Sequence, residues 1–198
     1  MSDSAYSVIL KPESRSLRDS FLKSFSSNYT IGKLYSESGT ELHRGKSPME
    51  WMQFFRVMDG EKTKSLTIQE LQALFLKLTH RYHVASSYHA NLFAARDKLK
   101  SLIDEKESAF IEAEISRYRP GGDYYDSELG KPKERRPGKE VLERMAKHAT
   151  SEMIKAYKDL NMEVNFFNFI MSDLEYQRRC LKDYAELMGL DPTVRSLG

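Results

Sequence analysis

Oxygen-bearing side chains recur at alternate positions between residues 59 and 70, at the spacing that calcium-binding loops use. The stretch reads DGEKTKSLTIQE and lies between two segments of helical periodicity. Calcium takes about six to eight oxygen ligands, and an EF-hand supplies them from loop positions 1, 3, 5, 7, 9 and 12. The residues at these positions are Asp59, Glu61, Thr63, Ser65, Thr67 and Glu70.

Two lysines argue against a metal ion in this loop. Lys64 stands where the sharp turn of an EF-hand requires glycine, and Lys62 adds a second positive charge beside the cation position. A turn followed by a capping box, in which Thr67 caps a helix and Glu70 closes the box, accounts for the same residues. We therefore predict a helix–turn–helix corner without metal, with a calcium loop as the alternative.

Histidine and cysteine residues give no stronger indication of chemistry. His80 and His83 lie on one helical face at a spacing found in zinc sites, with His89 further along, but no complete ligand set accompanies them. Cys180 follows two arginines that could lower its thiol pKa, although an ordinary helical cysteine explains it as well. No glycine-rich phosphate loop, nucleophile elbow or zinc-protease motif occurs. The sequence predicts a protein that is not an enzyme and uses no cofactor.

Basic and aromatic side chains are interleaved between residues 116 and 140, in SRYRPGGDYYDSELGKPKERRPGKE. Basic groups neutralise phosphates, and aromatic rings stack on unpaired bases. Acidic residues in the same stretch dilute its charge, so a solvated loop is the alternative. The residues that we predict to contact nucleic acid are Arg117, Tyr118, Arg119, Tyr124, Tyr125, Lys131, Lys133, Arg135 and Arg136.

Helical periodicity dominates the rest of the chain and predicts an all-α fold. A capping box at Ser47 and Glu50, with Pro48 in the first turn, begins a helix, and the Thr67 box begins another. Apolar residues then recur at heptad spacing from Tyr88 to Leu102, and the prolines and glycines of 119–138 end that pattern. We predict four parts: an N-terminal arm with a short helix and loops (1–46), a helix–turn–helix corner (47–83), a long helical hairpin (84–188) and a tail (189–198).

The second arm of the hairpin contains neither proline nor glycine between residues 139 and 188. Such a run predicts one helix of roughly 70 Å, which needs a partner along its whole length. The first arm is shorter, so either other subunits or the 47–80 helices must cover the remainder; a monomeric bundle is a third alternative. The residues that we predict to form contacts between subunits are Leu160, Phe167, Ile170, Leu174, Leu181 and Tyr184.

Composition restricts the setting more than the activity. The formal net charge is only +2, so an anionic partner must be met by a local basic patch. One cysteine excludes a disulfide within the chain, and no stretch approaches the ~18 apolar residues of a membrane span. We expect a soluble, cytoplasmic protein without a membrane partner.

The order of a basic stretch with two tyrosines, a polar loop and a long aromatic-rich helix resembles the UvsY-like recombination mediators of tailed phages. The similarity covers roughly residues 80–188, through SRYRPGGDYY and NFFNFIMSDLEYQRRCLKDYAEL. It implies a helical protein that forms ring oligomers through its C-terminal region and binds single-stranded DNA. It also implies that Arg117 and Arg119 contact phosphate and that Tyr124 and Tyr125 match the family's tyrosine pair. The PGG insertion and the KPKERRP segment depart from the family pattern.

The function that follows is that of a non-catalytic mediator. We expect a homo-oligomer that binds single-stranded DNA and assists the loading of a recombinase onto strands covered by a single-strand-binding protein, in the host cytoplasm if a phage encodes it. The alternatives are a coiled-coil structural or adaptor protein without nucleic-acid affinity, a helical subunit of a nucleoprotein complex, and a calcium-responsive helical protein.

Overall fold

A computed structural model describes residues 29–35, 41–57, 66–187 and 189. These residues form four helices and two short two-stranded sheets. The helices are α1 (Pro48–Phe55), α2 (Ile68–Ser116), α3 (Lys139–Ala149) and α4 (Ser151–Leu187), and the strands are β1 (Ile31–Tyr35), β2 (Glu41–Lys46), β3 (Tyr125–Asp126) and β4 (Lys131–Pro132). The predicted all-α class, with a long antiparallel helical hairpin and a smaller N-terminal helical region, is confirmed. The predicted short helix at 14–25 lies outside the described residues.

The chain divides into two compact units that differ from the predicted parts. The first contains the described residues up to Ala90 and those from Glu163 onward, and the second is Asn91–Met162. No boundary falls near residue 83, because α2 contains neither proline nor glycine and runs unbroken from Ile68 to Ser116. No helix in the described residues is long and apolar enough to cross a membrane.

Capping boxes open α1 and α2, as predicted. Ser47 donates its backbone N–H to the Glu50 carboxylate at 2.7 Å, and the Glu50 N–H returns a bond to the Ser47 hydroxyl at 3.2 Å. Thr67 and Glu70 exchange the same pair of bonds, at 2.8 and 3.3 Å. The backbone N–H bond received at each box lowers the pKa of Glu50 and of Glu70 below 4.5.

Aromatic rings form the core of the first unit. Trp51 of α1 lies 4.9 Å from Tyr88 of α2 and 5.4 Å from Phe167 of α4, centroid to centroid. The Tyr88 and Phe167 rings stack at 5.2 Å, and Phe55 closes the cluster 5.5 Å from Trp51. The indole N–H of Trp51 donates to the carbonyl of Ile31 at 2.9 Å, which attaches β1 to the same core. The cluster therefore joins four separate segments of the chain.

Glu163 of α4 fixes the β1–β2 hairpin by hydrogen bonds. Its carboxylate accepts from the backbone N–H of Gly32 at 2.8 Å and from the hydroxyl of Tyr29 at 3.2 Å. Gly32 has φ of +75°, and a Cβ there would lie 3.2 Å from the Tyr88 ring. Glycine is therefore required at this position both for its conformation and for the close approach of the backbone to the core.

The first unit buries most of the residues that we predicted to contact other subunits. Phe167, Ile170, Leu174 and Leu181 are each no more than 1% exposed, and Leu160 and Tyr184 are half-buried. The rings of Trp51 in α1 and Tyr88 in α2 cover Phe167. Helices of the same chain therefore cover this part of α4, as in the alternative that assigned this role to the N-terminal helices. Four of the six side chains therefore already pack within the chain, and contacts between subunits at these residues stay a prediction.

The second unit is an antiparallel pair of helical segments, one from α2 and one from α3 and α4. Arg96 donates to the Asn161 side chain at 3.3 Å, and the hydroxyl of Thr150 donates to Glu107 at 2.9 Å. The face of α2 that meets its partner contains Leu92 and Ile103, both buried. The predicted heptad seam is wrong here: Ala95 and Leu102 are exposed, because hydrogen-bonded polar residues occupy contact positions that an apolar pattern does not reveal.

The predicted single helix from 139 to 188 is interrupted at Thr150. This residue has φ of −100° and ψ of 10°, ends α3 and is 3% exposed. Its hydroxyl lies 3.1 Å from the carbonyl of Ala146, a contact one turn back that bends helices. Thr150 faces α2, where Glu107 accepts its hydrogen bond, and the neighbouring Ala149 is exposed.

Candidate nucleic-acid interface

The basic–aromatic stretch forms an ordered hairpin between α2 and α3. Strands β3 and β4 pair antiparallel, with Tyr125 opposite Pro132 and Asp126 opposite Lys131. One further bond, from the N–H of Lys133 to the carbonyl of Tyr124 at 2.9 Å, extends the pairing. We call residues 117–138 the basic hairpin.

A side-chain cap shapes the tip of the basic hairpin. The carboxylate of Asp126 accepts from the backbone N–H groups of Glu128 and Leu129, at 3.0 and 3.1 Å. Such Asx turns stabilise short reversals of the chain, and Gly130 follows with φ of +64°. Leu129 is 66% exposed at this tip. Asp126 therefore has a structural task, which accounts for one acidic residue in a stretch predicted to bind anions.

Gly122 allows the chain to leave α2 and turn into the basic hairpin. A Cβ at this position would lie 2.5 Å from the carbonyl oxygens of Ser116 and Arg117. The N–H of Gly122 donates to the carbonyl of Arg119 at 2.9 Å, so its backbone is held in place. The PGG insertion therefore builds the base of the hairpin.

Arg117 is engaged by neighbours within the hairpin. Its guanidinium lies 3.0 Å from the Glu114 carboxylate and 3.7 Å from that of Asp123, and it donates to the Tyr124 hydroxyl at 3.1 Å. The hydrogen bond to Glu114 raises the pKa of Arg117 above its usual value. Because its guanidinium is already engaged by these neighbours, Arg117 is better suited to positioning the loop than to binding phosphate.

The three tyrosines divide into a stacked pair and a third ring. Tyr118 and Tyr124 stack at 5.1 Å with 21° between their planes, and Arg117 lies 4.6 Å from the Tyr124 ring. Tyr125 is half-buried on β3, and no ring contact joins it to another residue of the described chain. Of the predicted stacking residues, Tyr125 is therefore the one whose ring is not already used by a neighbouring ring.

The remaining predicted residues form an exposed cationic surface. Lys131 and Lys133 lie two residues apart on extended chain, so both side chains project from one face of the hairpin. Between residues 131 and 139 the chain carries five basic side chains and one acidic side chain. The exposed cations among the predicted contacts are Arg119, Lys131, Lys133, Arg135 and Arg136.

The other sites considered from the sequence gain no support. Asp59, Glu61, Thr63 and Ser65 lie outside the described residues, and Thr67 and Glu70 bond each other in the capping box. Among the residues that are described, no three histidine, cysteine or acidic side chains come together as a metal site requires.

Cys180 departs from the expected effect of its neighbours. Burial raises the pKa of its thiol, whereas the adjacent arginines would have lowered it.

A second basic pair, Lys46 and Arg81, faces the ring of Phe54 in the first unit, at 4.7 and 3.4 Å from its centroid. Cation–π contact occupies both side chains, so this pair forms no phosphate site of its own.

Sequence reasoning missed two residues that shape the basic hairpin. Glu114 stands three residues before Arg117, a helical spacing that predicts an ion pair and was available in the sequence. The role of Gly122 depends on the path of the backbone after α2, which spacing alone does not give.

The chain has no match among protein-family models, and neither a curated protein nor a solved structure matches it. The resemblance to recombination mediators therefore stays a prediction.

Proposed function

We propose that this protein binds single-stranded DNA through the basic hairpin and acts without catalysis as a recombination mediator. The observation that carries the proposal is the exposed cationic surface of Arg119, Lys131, Lys133, Arg135 and Arg136 beside the tyrosines of an ordered loop. Cations that track a phosphate backbone, together with rings on which bases stack, are the usual components of single-strand recognition. The chain's net charge of +2 means that attraction must be local.

The roles that we propose within the hairpin take its internal contacts into account. Lys131 and Lys133 bind phosphate, and Tyr125 stacks on a base. Arg117 and the Tyr118–Tyr124 stack hold the loop in the shape that presents these groups. Arg117 is thus reassigned from a phosphate contact to a positioning residue.

The mediator role follows from the resemblance described above. In it the protein loads a recombinase onto strands covered by a single-strand-binding protein, and both of these proteins are proposed partners. Because the substrate of that process is intracellular DNA, we propose a cytoplasmic location.

Fluorescence anisotropy of a labelled single strand, with a duplex control, tests the proposal. Affinity should fall with salt, since each phosphate contact to a single strand contributes about 0.7 to the log–log slope. The double variant Lys131→Ala with Lys133→Ala should lose roughly tenfold in affinity and about 1.4 from that slope. A matched control is Arg178→Ala with Arg179→Ala, which removes two exposed charges from α4. Equal losses from both variants would contradict a site in the hairpin.

Single substitutions separate contact from positioning. Arg119→Ala should reduce the salt slope by about 0.7, as loss of one phosphate contact requires. Arg117→Ala should weaken binding because the loop loses its shape, while the measured salt slope stays at the wild-type value. If Arg117→Ala reduces the slope as Arg119→Ala does, Arg117 is a phosphate contact after all.

An adaptor function is the second candidate, and Leu129 favours it. A leucine that is 66% exposed at the tip of a hairpin suits an apolar pocket of a protein better than a phosphate backbone. Absence of any strand binding at low salt, from folded protein, would make the adaptor reading the better account. Loss of binding to a recombinase in Leu129→Ser, with strand affinity intact, would assign the tip to that partner.

A further inference from the structure

The second unit carries an exposed apolar stripe on each of its two helical segments. Every member of both stripes immediately precedes, in sequence, a buried or half-buried residue of its own segment. On α2 the stripe contains Ala95, Leu102, Ala109 and Ala113, and on α3 and α4 it contains Val141, Met145, Ala149 and Ala156. Leu102, Val141 and Met145 are 42%, 43% and 39% exposed.

Both stripes lie on the same side of the helix pair. A step of one residue turns a helix by 100°, so each stripe is rotated about 100° from the contact face in the same sense. Because the two segments run antiparallel, the same sense of rotation on both brings the stripes to one side. The pair therefore presents one face that is apolar except for Lys106 and Glu152, which we call the stripe face.

Two contacts fix which residues of the stripes lie level with each other. Arg96 bonds Asn161 and Glu107 bonds Thr150, so each step forward along α2 matches one step back along the partner segment. The stripe residues that lie within one residue, about 1.5 Å, of the same level are Leu102 with Ala156, Lys106 with Glu152, Ala109 with Ala149, and Ala113 with Met145. Leu102 and Met145 have large side chains, and each lies across from an alanine. Lys106 and Glu152, which lie across from each other, carry opposite charges.

We propose that the stripe face binds a second copy of this chain, related by a two-fold axis parallel to the helices. Such an axis places α2 of one copy opposite the α3–α4 segment of the other at the same level. Leu102 then packs on Ala156 of the second copy, and Met145 packs on Ala113 of the second copy. Large side chains opposite small ones allow helices to approach closely and fill the interface without voids.

Charge complementarity favours a second copy over an unrelated apolar partner. Lys106 and Glu152 are exposed at the centre of the stripe face, and neither makes an ion pair within the described chain. In the two-fold arrangement each Lys106 faces Glu152 of the other copy, so two opposite-charge pairs form across the interface. A partner without this alternation would leave both charges unpaired on an apolar surface.

The size of the stripe face is sufficient for association. Two helices about 10 Å apart and roughly 30 Å long offer on the order of 600 Å² to a partner, the lower limit for a specific interface. The product is a four-helix bundle in which neighbouring helices are antiparallel. This interface uses none of the buried residues Phe167, Ile170, Leu174 or Leu181.

Light scattering during size-exclusion chromatography tests the dimer directly. The wild-type chain should run at twice its monomer mass at about 100 μM, where a micromolar dimer is mostly assembled. Ala109→Glu should raise the dissociation constant about a hundredfold, because it buries an unpaired charge against Ala149 of the second copy. Ser108→Glu is the matched control, since it adds the same charge at an exposed position one residue away that is turned 100° from Ala109. A monomeric wild-type chain, or equal dissociation in both variants, would overturn the proposal.

Charge exchange tests the register. Lys106→Glu and Glu152→Lys should each weaken the dimer about tenfold, and the double variant should recover wild-type affinity. Cross-linking tests the orientation: in a Cys180→Ser background, chains with Ala109→Cys should cross-link to separate chains with Ala149→Cys. Preferential cross-linking of Ala109→Cys chains to each other would contradict the two-fold axis parallel to the helices.

A consequence for DNA binding rests on the proposed function. An axis parallel to the helices presents both basic hairpins from the same end of the bundle, so one long strand reaches both. Ala109→Glu should then weaken binding of a long strand while a short strand that fits one hairpin binds as before. Failure of all strand binding would refute the proposed function alone, because the mass measurement does not depend on DNA.

Discussion

The two units of this protein are built from the same long helices and solve the problem of burial differently. In the first unit α1 and the β1–β2 hairpin bring extra side chains to the helices, and Trp51, Phe55, Phe166 and Phe167 are each at most 2% exposed. In the second unit two helical segments pack on each other, and among the residues that the structure describes there the buried ones are Leu92, Ile103, Leu142, Ala146 and Thr150.

The difference shows what a helix pair lacks on its own. Two helices share one line of contact, so each keeps most of its surface in water. A third layer, such as α1, converts a second face into core. Where no such layer exists, apolar side chains stay exposed, and in the stripe face five of the eight are alanine.

The largest expected effect comes from truncating the core of the first unit. Phe167→Ala should lower the free energy of unfolding by about 3–5 kcal/mol, because the cavity removes ring contacts with Trp51 and Tyr88. Urea unfolding followed by Trp51 fluorescence measures it, since the chain has one tryptophan.

The matched substitution in the second unit is Phe93→Ala. Phe93 is 42% exposed and lies against the Arg96 guanidinium at 4.2 Å, so about 1 kcal/mol or less should be lost. If the two variants lost the same free energy of unfolding, the proposed difference in burial between the units would be wrong.

A smaller effect is expected at the base of the basic hairpin. Gly122→Ala should cost about 1–3 kcal/mol, because the new methyl group meets the backbone carbonyls of Ser116 and Arg117 and the chain must shift. Gly138→Ala is the control, since a Cβ there meets nothing within 4 Å. Calorimetry measures stability, and anisotropy measures the accompanying loss of strand affinity. An unaffected Gly122→Ala variant would mean that the hairpin base is not under steric restraint.

The smallest effect concerns the capping boxes, which belong to the first unit alone. The pKa values of Glu50 and Glu70 lie below 4.5 in the folded chain, so their stabilisation is complete above the unfolded value. It is lost as the pH falls through the folded pKa values. Melting temperatures recorded as the pH is lowered through this range should fall less steeply for Glu50→Gln with Glu70→Gln than for wild type. Superimposable profiles would show that these carboxylates do not couple folding to pH.

Sequence patterns predicted those parts of the fold that depend on neighbouring residues. The capping boxes at Ser47 and Thr67 are local motifs, and the basic hairpin is bounded by prolines and glycines that end helices. The contact face of the second unit could not be read this way, since Arg96 and Glu107 occupy it and are satisfied by partners distant in sequence.

Composition predicted the exposure of the cations in the basic hairpin, but it did not predict the contacts that individual residues make within it. The cations at 131–136 are exposed, as a phosphate surface requires, but Arg117 is engaged by Glu114 and Tyr124. The stripe face illustrates the same limit. Ala95 and Leu102 fit a heptad, but only the contacts of Arg96 and Glu107 show that these two residues face away from the intrachain partner.

The contacts of Glu163 have a consequence for the order of folding. Gly32 and Glu163 are separated by 131 residues, and the whole second unit lies between them in the chain. During synthesis the second unit is complete before the ribosome has released the helix that closes the first. The aromatic rings of α1 and the β1–β2 hairpin therefore cannot complete the core of the first unit until Phe167 has been synthesised. Such distant closure is slow, and we expect the first unit to determine the refolding rate of the entire chain.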